Sequence, residues 1–187
     1  GTGLWRADDL VAFATEWNAT GAIADEAERK AAQDDVLALW SDNGRADGTV
    51  RLRNGIDMSG VEYTPIGWNA NPMEIDKYAF TGKFDGGGHK ISSLKVEVND
   101  YAGLFGCNKG HIANVVMEDC EISALDCAGA VVGINVGTIT GCSTTGGSVT
   151  STAMCAGGIA GVMSDGASLL EDCTVSTAAG STAHLSQ

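Results

Sequence analysis

Through the second half of the chain, short runs of Val, Ile, Leu and Thr alternate with breaks at Gly, Asn, Asp or Ser, and the alternation recurs at a fixed interval. The stretch YAGLFGCNKG (101–110), with the following His111–Val115, returns as CAGAVVGINVGTITGC (127–142) and again as CAGGIAGVMSDGASLLEDC (155–173). Gly106, Gly133 and Gly161 fall at equivalent places, 27 and 28 residues apart, a period typical of solenoids. A second column keeps the same register: Ile112-x-x-Val115, Ile139-x-x-Cys142 and Leu170-x-x-Cys173. Upstream, GGGHKISSL supplies Ile91-x-x-Leu94 as a fourth rung of that column.

No copy holds ten consecutive residues with a helical apolar stripe, whereas β-branched runs bounded by turn residues read as strands. One coil per repeat, each strand pairing with its counterpart in the next coil, is a parallel β-helix with coils about 4.8 Å apart. Its narrow interior accounts for Ala, Gly, Cys, Val and Ile at the inward positions. The glycines supply a positive φ or a close backbone approach. A Gly-rich β-sandwich is the competing architecture, but a sandwich needs no fixed register. The expected fold class is therefore all-β: a right-handed parallel β-helix with an N-terminal capping helix or helices.

The first 48 residues carry a different pattern. ADDLVAFATEWNA (7–19) places Leu10, Phe13, Ala14 and Trp17 on one helical face, with Asp8 and Asp9 near its positive end. AIADEAERKAAQDDVLALWS (22–41) predicts a second helix between Gly21 and Gly44, its Val36, Leu37 and Trp40 turned to the rest of the domain. An open β-helix end is an aggregation template, so a helix there is expected to cover it. Strands are expected on either side of the Asn54-Gly55 turn, with Val50, Leu52, Ile56 and Met58 alternating. Residues 59–79, with Pro65, Trp68 and Pro72, read as an irregular excursion. Phe80–Leu94 then starts the regular coils, with Phe84 as an inward anchor, and after Val175 the pattern fades into a tail expected to fray. The expected division is residues 1–48 as helical cap and inserted helix, and 49–187 as β-helix, within one compact domain.

These repeats resemble the GLUG-repeat proteins of bacterial surfaces, whose copies read approximately AGGLVGxNxGTIxNC. AGAVVGINVGTITGC (128–142) is the best match and AGLFGCNKGHIANV (102–115) a good one. FTGKFDGGGHKISSL (80–94) and RLRNGIDMSGVEYTPIG (51–67) resemble the phrases that introduce such repeats, so the likeness runs over about residues 4–175. It implies architecture rather than activity, because such repeats occur in adhesin-like proteins and in non-catalytic parts of IgA-protease-like proteins. The third copy departs from the pattern: Met163 replaces the Asn and two residues enter before Gly166, so that coil is expected to bulge.

Composition narrows the partners. A formal net charge of −13 in 187 residues, with Lys109 the only Lys or Arg after Tyr101, argues against nucleic acid or anionic lipid. No apolar run is long enough for a membrane span, and no signal peptide is legible. Gly1-Thr2-Gly3 reads as the start of a piece excised from a larger exported protein. Among the six cysteines, Cys127 and Cys155 are equivalent in register, as are Cys142 and Cys173, so a disulfide is geometrically conceivable in each pair. Free thiols packed as small hydrophobes are nonetheless the expectation. No Cys-x-x-Cys occurs, and with three histidines no metal site is expected.

No catalytic constellation emerges. Asp85-Gly86-Gly87-Gly88 is followed by the strand-like Lys90–Leu94 rather than a helix, so it reads as a corner and not a phosphate loop. Glu118, Asp119 and Glu121 are neighbours along the chain and read as a solvated edge rather than a glycosidase pair. His89 and His111 each follow a glycine, Gly88 and Gly110, and read as one stacked rung position; His184 has no motif around it. The expected function is a non-enzymatic segment of an extracellular surface or secreted bacterial protein: an adhesin, stalk or interaction domain without cofactor. Its expected partners are host protein, host glycan or neighbouring domains of the same chain. A carbohydrate-active β-helix is the alternative, although Trp5, Trp17, Trp40 and Trp68 all precede the repeats.

Overall fold

In the computed structural model, which describes residues 2–164 and 168–176, every strand pairing between named strands is parallel. The molecule is an all-parallel β-solenoid of about three turns with two helices at the N-terminal end and a short one at Ile75–Tyr78. One five-stranded sheet stacks Thr49–Arg51, Lys83–Asp85, His111–Ala113, Thr138–Thr140 and Leu169–Glu171. A second stacks Ile56–Asp57, Lys90–Ser92, Val116–Glu118, Ser143–Thr145 and Thr174–Ser176. Three shorter sheets close each coil, among them Phe105–Asn108, Val132–Asn135 and Ala160–Met163. Gly106, Gly133 and Gly161 sit at one level of this last sheet, as the repeat register requires.

The glycine column exists for close approach rather than for turning. A Cβ on Gly133 would lie 2.6 Å from the Tyr101 backbone, and one on Gly106 2.8 Å from the Gly67 carbonyl. No side chain fits that close to a neighbouring backbone. The asparagine of each repeat has an equally local reason. Asn108 and Asn135 are both fully buried, and the Asn108 amide donates to Asn135 Oδ1 at 2.9 Å. Asn135 in turn donates to the carbonyls of Gly137, at 3.0 Å, and Leu169, at 3.3 Å. The ladder ends at Met163, which offers only a thioether sulfur at 3.5 Å. The expected bulge before Gly166 lies outside the described residues, as do the expected frayed tail and His184.

Two expectations of register need correction. Ile91 stacks on Ile56 and Met117, not on Ile112; the column of Ile112 is Val50, Phe84, Ile112, Ile139 and Leu170. The Asp85–Gly88 corner lengthens that coil, so the same apolar spacing recurs one face later. For the same reason His89 and His111 share no rung: His111 pairs with Lys83 and Thr138, and His89 lies in the corner itself. Asn54-Gly55 joins strands of two different sheets, so it turns a coil corner and makes no hairpin. The excursion at 59–79 is also part of the solenoid. Ile66 bridges to Phe105 and Phe80 to Asn108, both parallel, and the Tyr63 hydroxyl donates to the Leu104 carbonyl at 2.8 Å.

The N-terminal helices are longer and shorter than expected by a few residues: α1 is Ala7–Gly21 and α2 is Glu26–Trp40. The Asp9 carboxylate accepts the Trp5 and Arg6 N–H groups at 2.9 and 3.1 Å, and Asp25 caps α2 through the Glu28 N–H at 2.9 Å. Leu10, Phe13, Ala14 and Trp17 are buried, and Phe13 meets Trp40 and Phe80 edge-on at 6.2 Å. Trp17 and Phe80, then Phe105 and Phe84, continue this aromatic path into the coils. Trp17 also donates its ring N–H to the Tyr78 carbonyl at 2.8 Å. The helices thus close the first coil, and the isolated parallel bridge from Leu4 to Leu52 pairs one stretch of its free edge.

Replacing Phe13 with Asp places an unpaired carboxylate in this aromatic contact, a cost of several kcal/mol to the docking of α1. Because solenoid stability is a sum over neighbouring units, the distal coils are expected to survive. Phe13→Asp should oligomerise or precipitate while most β-type circular dichroism persists. A monomeric variant with unchanged melting would show that α1 covers nothing essential.

Candidate functional site

Two places on the described surface combine unusual chemistry with access. The first lies at the N-terminal face, where the segment before α1 meets the end of α2. Trp5, Arg6, Asp9, Leu39 and Trp40 line a groove of about 580 Å³. Trp5 is 46% and Leu39 63% exposed, so the groove floor offers an indole and an aliphatic side chain to solvent. Trp40 is held by a hydrogen bond from its ring N–H to Glu16 Oε1 at 3.3 Å. Trp5 and Trp40 are 35 positions apart (40 − 5), and only the docking of α2 beside the first coil brings them together.

The second place is a pair of carboxyl groups. Ala102 bridges Ala128 in parallel, which stacks Asp100 on Asp126 one coil apart. The Ala102 N–H donates to the Cys127 carbonyl at 2.8 Å, and both Leu125 and Asp126 donate N–H to the Asn99 carbonyl at 3.0 Å. Asp100 is only 8% exposed, and its carbonyl accepts the Trp68 ring N–H at 3.0 Å. The interaction of the Asp100 carboxyl with Asp126, then burial and the negative charge of Asp126, pushes Asp100 up to about 6. Tyr101 beside them, in a left-handed conformation at φ 39°, is raised by burial and then by both carboxylates. The sequence carried the sign of this pair: Asp100-Tyr-Ala-Gly and Asp126-Cys-Ala-Gly are the same phrase in two repeats, with Met154 in the third.

Asp100 and Asp126 are stacked carboxyls at a coil corner, beside the left-handed Tyr101. The acidic cluster singled out in the sequence is dispersed. Glu118 pairs with Lys90 at 2.8 Å, Glu121 stands in register with Lys95, and Asp119 turns a corner at φ 52°. The Asp85–Gly88 segment is a corner as expected, with Gly87 and Gly88 at φ 60° and 76°. Asp85 is committed to Arg51 at 2.9 Å and accepts from Asn114 at 3.2 Å. Arg51 also holds Asp42, whose carboxyl sits below its usual range because the Thr49 N–H and then the guanidinium stabilise its charge. Lys109 is paired with Asp76 at 3.0 Å. Among the described residues no three His, Cys, Asp or Glu converge as metal ligands.

The thiols divide. Cys127 and Cys155 face each other in parallel register with Cα atoms 4.7 Å apart and form a disulfide, so the expectation of free thiols fails for this pair. Adjacent in-register strands hold equivalent residues within the reach of such a bond. Cys107, Cys120, Cys142 and Cys173 are free. Burial pushes Cys107 and Cys142 up to about 12 and Cys120 to about 11, which leaves them mostly protonated and slow to react at neutral pH.

No protein-family description matches the chain. It is 32% identical over 125 residues to Halomucin of Haloquadratum walsbyi, an alignment covering 60% of this chain and 1% of that protein. Among solved structures it is similar to a candidate immunoglobulin A1 protease from Bacteroides ovatus, with a TM-score of 0.54 and 23% identity. That superposition covers 79% of this chain and 45% of the other. At such identity the likeness is one of fold: a parallel β-helix.

Two measurements follow from the site. Because Asp100 binds its proton more tightly folded than unfolded, its contribution to stability is present below about pH 4 and lost as pH rises through about 6. Asp126→Asn removes the like charge, so the variant should gain stability relative to the parent at pH 7 and differ less at pH 4. Denaturant midpoints at the two pH values read this directly, and an equal effect at both would dissolve the pair. For the thiols, protein purified under nitrogen without reductant should titrate four groups after denaturation. Six would show that Cys127 and Cys155 are not joined.

Proposed function

We propose that this chain is a GLUG-type β-helical segment of an exported surface protein, non-enzymatic, serving as a stalk or interaction module for host proteins, glycans or neighbouring domains. The observation that carries this reading is the regular stack itself. Each feature of the repeat, from the glycine column to the buried asparagines, serves coil-on-coil packing, and none converges on a reacting group. The similarity to Halomucin supports it, since the matched region is a very small part of a much longer protein. A net charge of −13 keeps such a module apart from anionic surfaces. No helix among the described residues is long and apolar enough to cross a membrane.

A second reading rests on the exposed Trp5 beside Trp40: a glycan subsite in the groove at the N-terminal face, where a sugar ring stacks on the indole. Each reading has its own test. Antibodies against the segment should label intact cells of the source organism, and protease added outside should strip the signal; a signal seen only after lysis would overturn the surface assignment. Titration with soluble hexose and N-acetylhexosamine oligosaccharides should leave tryptophan fluorescence unchanged if no sugar enters the groove at the N-terminal face. A saturable change abolished by Trp5→Ala would establish the second.

A further inference from the structure

Cys142 and Cys173 occupy the same corner in successive coils. Each immediately precedes a strand of one sheet, and there Ser143 pairs with Thr174 in parallel register. The strands before them are also in register, Thr140 opposite Glu171. Both corners turn through a left-handed residue, Gly141 at φ 63° and Asp172 at φ 52°. The Thr174 N–H donates to the Cys142 carbonyl and the Gly141 N–H to the Glu171 carbonyl, each at 3.0 Å. The side chains lean alike, Cys142 Sγ toward the Thr140 carbonyl at 3.6 Å and Cys173 Sγ toward the Glu171 carbonyl at 3.2 Å.

We propose that Cys142 and Cys173 form a second coil-to-coil cross-linking site, closed by thiol–disulfide exchange with a small-molecule disulfide. Equivalent residues on paired strands stand about 4.8 Å apart, within the span of a disulfide. The chain already joins one such pair, Cys127 and Cys155, at a Cα separation of 4.7 Å. Neither remaining thiol has this arrangement: Cys107 stands opposite Ile134, and Cys120 precedes a strand whose partners follow Leu94 and Gly147.

The order of events follows from access. Cys173 is half-buried and Cys142 buried, so Cys173 meets the donor first. Its thiolate attacks one sulfur of the donor disulfide, the donor S–S bond breaks, and one donor thiolate leaves and takes up a proton. Cys142 then loses its proton to solvent and attacks Cys173 Sγ, breaking the mixed disulfide and releasing the second donor thiol. Two cysteine thiols are oxidised to one cystine while one donor disulfide is reduced to two thiols. Burial holds the Cys142 proton tightly, which makes the second exchange the slow one. The cross-link would span the third repeat, where Met163 ends the asparagine ladder, and so fasten the coil that lacks that contact.

The test is incubation of the native protein with oxidised glutathione, acid quench, alkylation under denaturing conditions and peptide mass analysis. Alkylatable thiols should fall from four to two, with Cys142 and Cys173 recovered in one cross-linked peptide and melting raised by several degrees. Cys142→Ser should stop at a glutathione adduct on Cys173, which shows the first exchange apart from any folding defect. The proposal is overturned if the unsubstituted chain ends at that adduct, if it loses no thiol, or if cross-links involve Cys107 or Cys120.

Discussion

Everything in this structure depends on coils stacking in parallel and in register. Each strand hydrogen-bonds the equivalent strand of the next coil, so equivalent side chains lie directly on one another. A repeat therefore places like on like: Ile112 on Ile139, Asn108 on Asn135, Cys127 on Cys155, Asp100 on Asp126. The same geometry gives opposite energies according to chemistry. Stacked isoleucines bury apolar area, stacked amides satisfy one another, and stacked cysteines close a covalent bond. Stacked carboxylates repel until they share a proton.

The stack also explains the asymmetry of the two ends. At the N-terminal end α1, α2 and the Leu4 bridge close the first coil, and an aromatic path from Trp40 through Phe13 and Phe80 reaches Phe105 and Phe84. Along the Ile112 column burial is complete or nearly so from Val50 to Ile139 and falls at Leu170, which is 40% exposed. A solenoid unit buries its apolar face only against a neighbour.

Function in such a molecule resides on its surface and in its corners. The interior is filled with packed side chains, and no described buried polar side chain lacks a partner. What remains accessible is an indole-lined groove on the cap, an acidic exterior and corners where repeat positions bring reactive groups together.

The periodicity alone was enough to establish the solenoid, the glycine and Ile112–Ile139–Leu170 columns and the helical cap, because strand pairing, inward burial and helix faces are written in local spacing. Val36, Leu37 and Trp40 turn inward as their spacing requires, and Phe84 anchors the core. Register across the Asp85–Gly88 corner was not legible, since two different columns carry the same apolar spacing and only the coil's actual path distinguishes them. The excursion at 59–79 reads as irregular because Ile66 and Phe80 contribute single bridges, too short to leave a pattern. Cys127 and Cys155 were visibly equivalent, but equivalence does not state oxidation; the bond between their sulfurs in the folded chain does. Asp100 and Asp126 share a repeated phrase, yet each alone reads as a surface aspartate. Only the stacking of one coil on the next, which sets Asp126 beside a buried Asp100, makes them a pair.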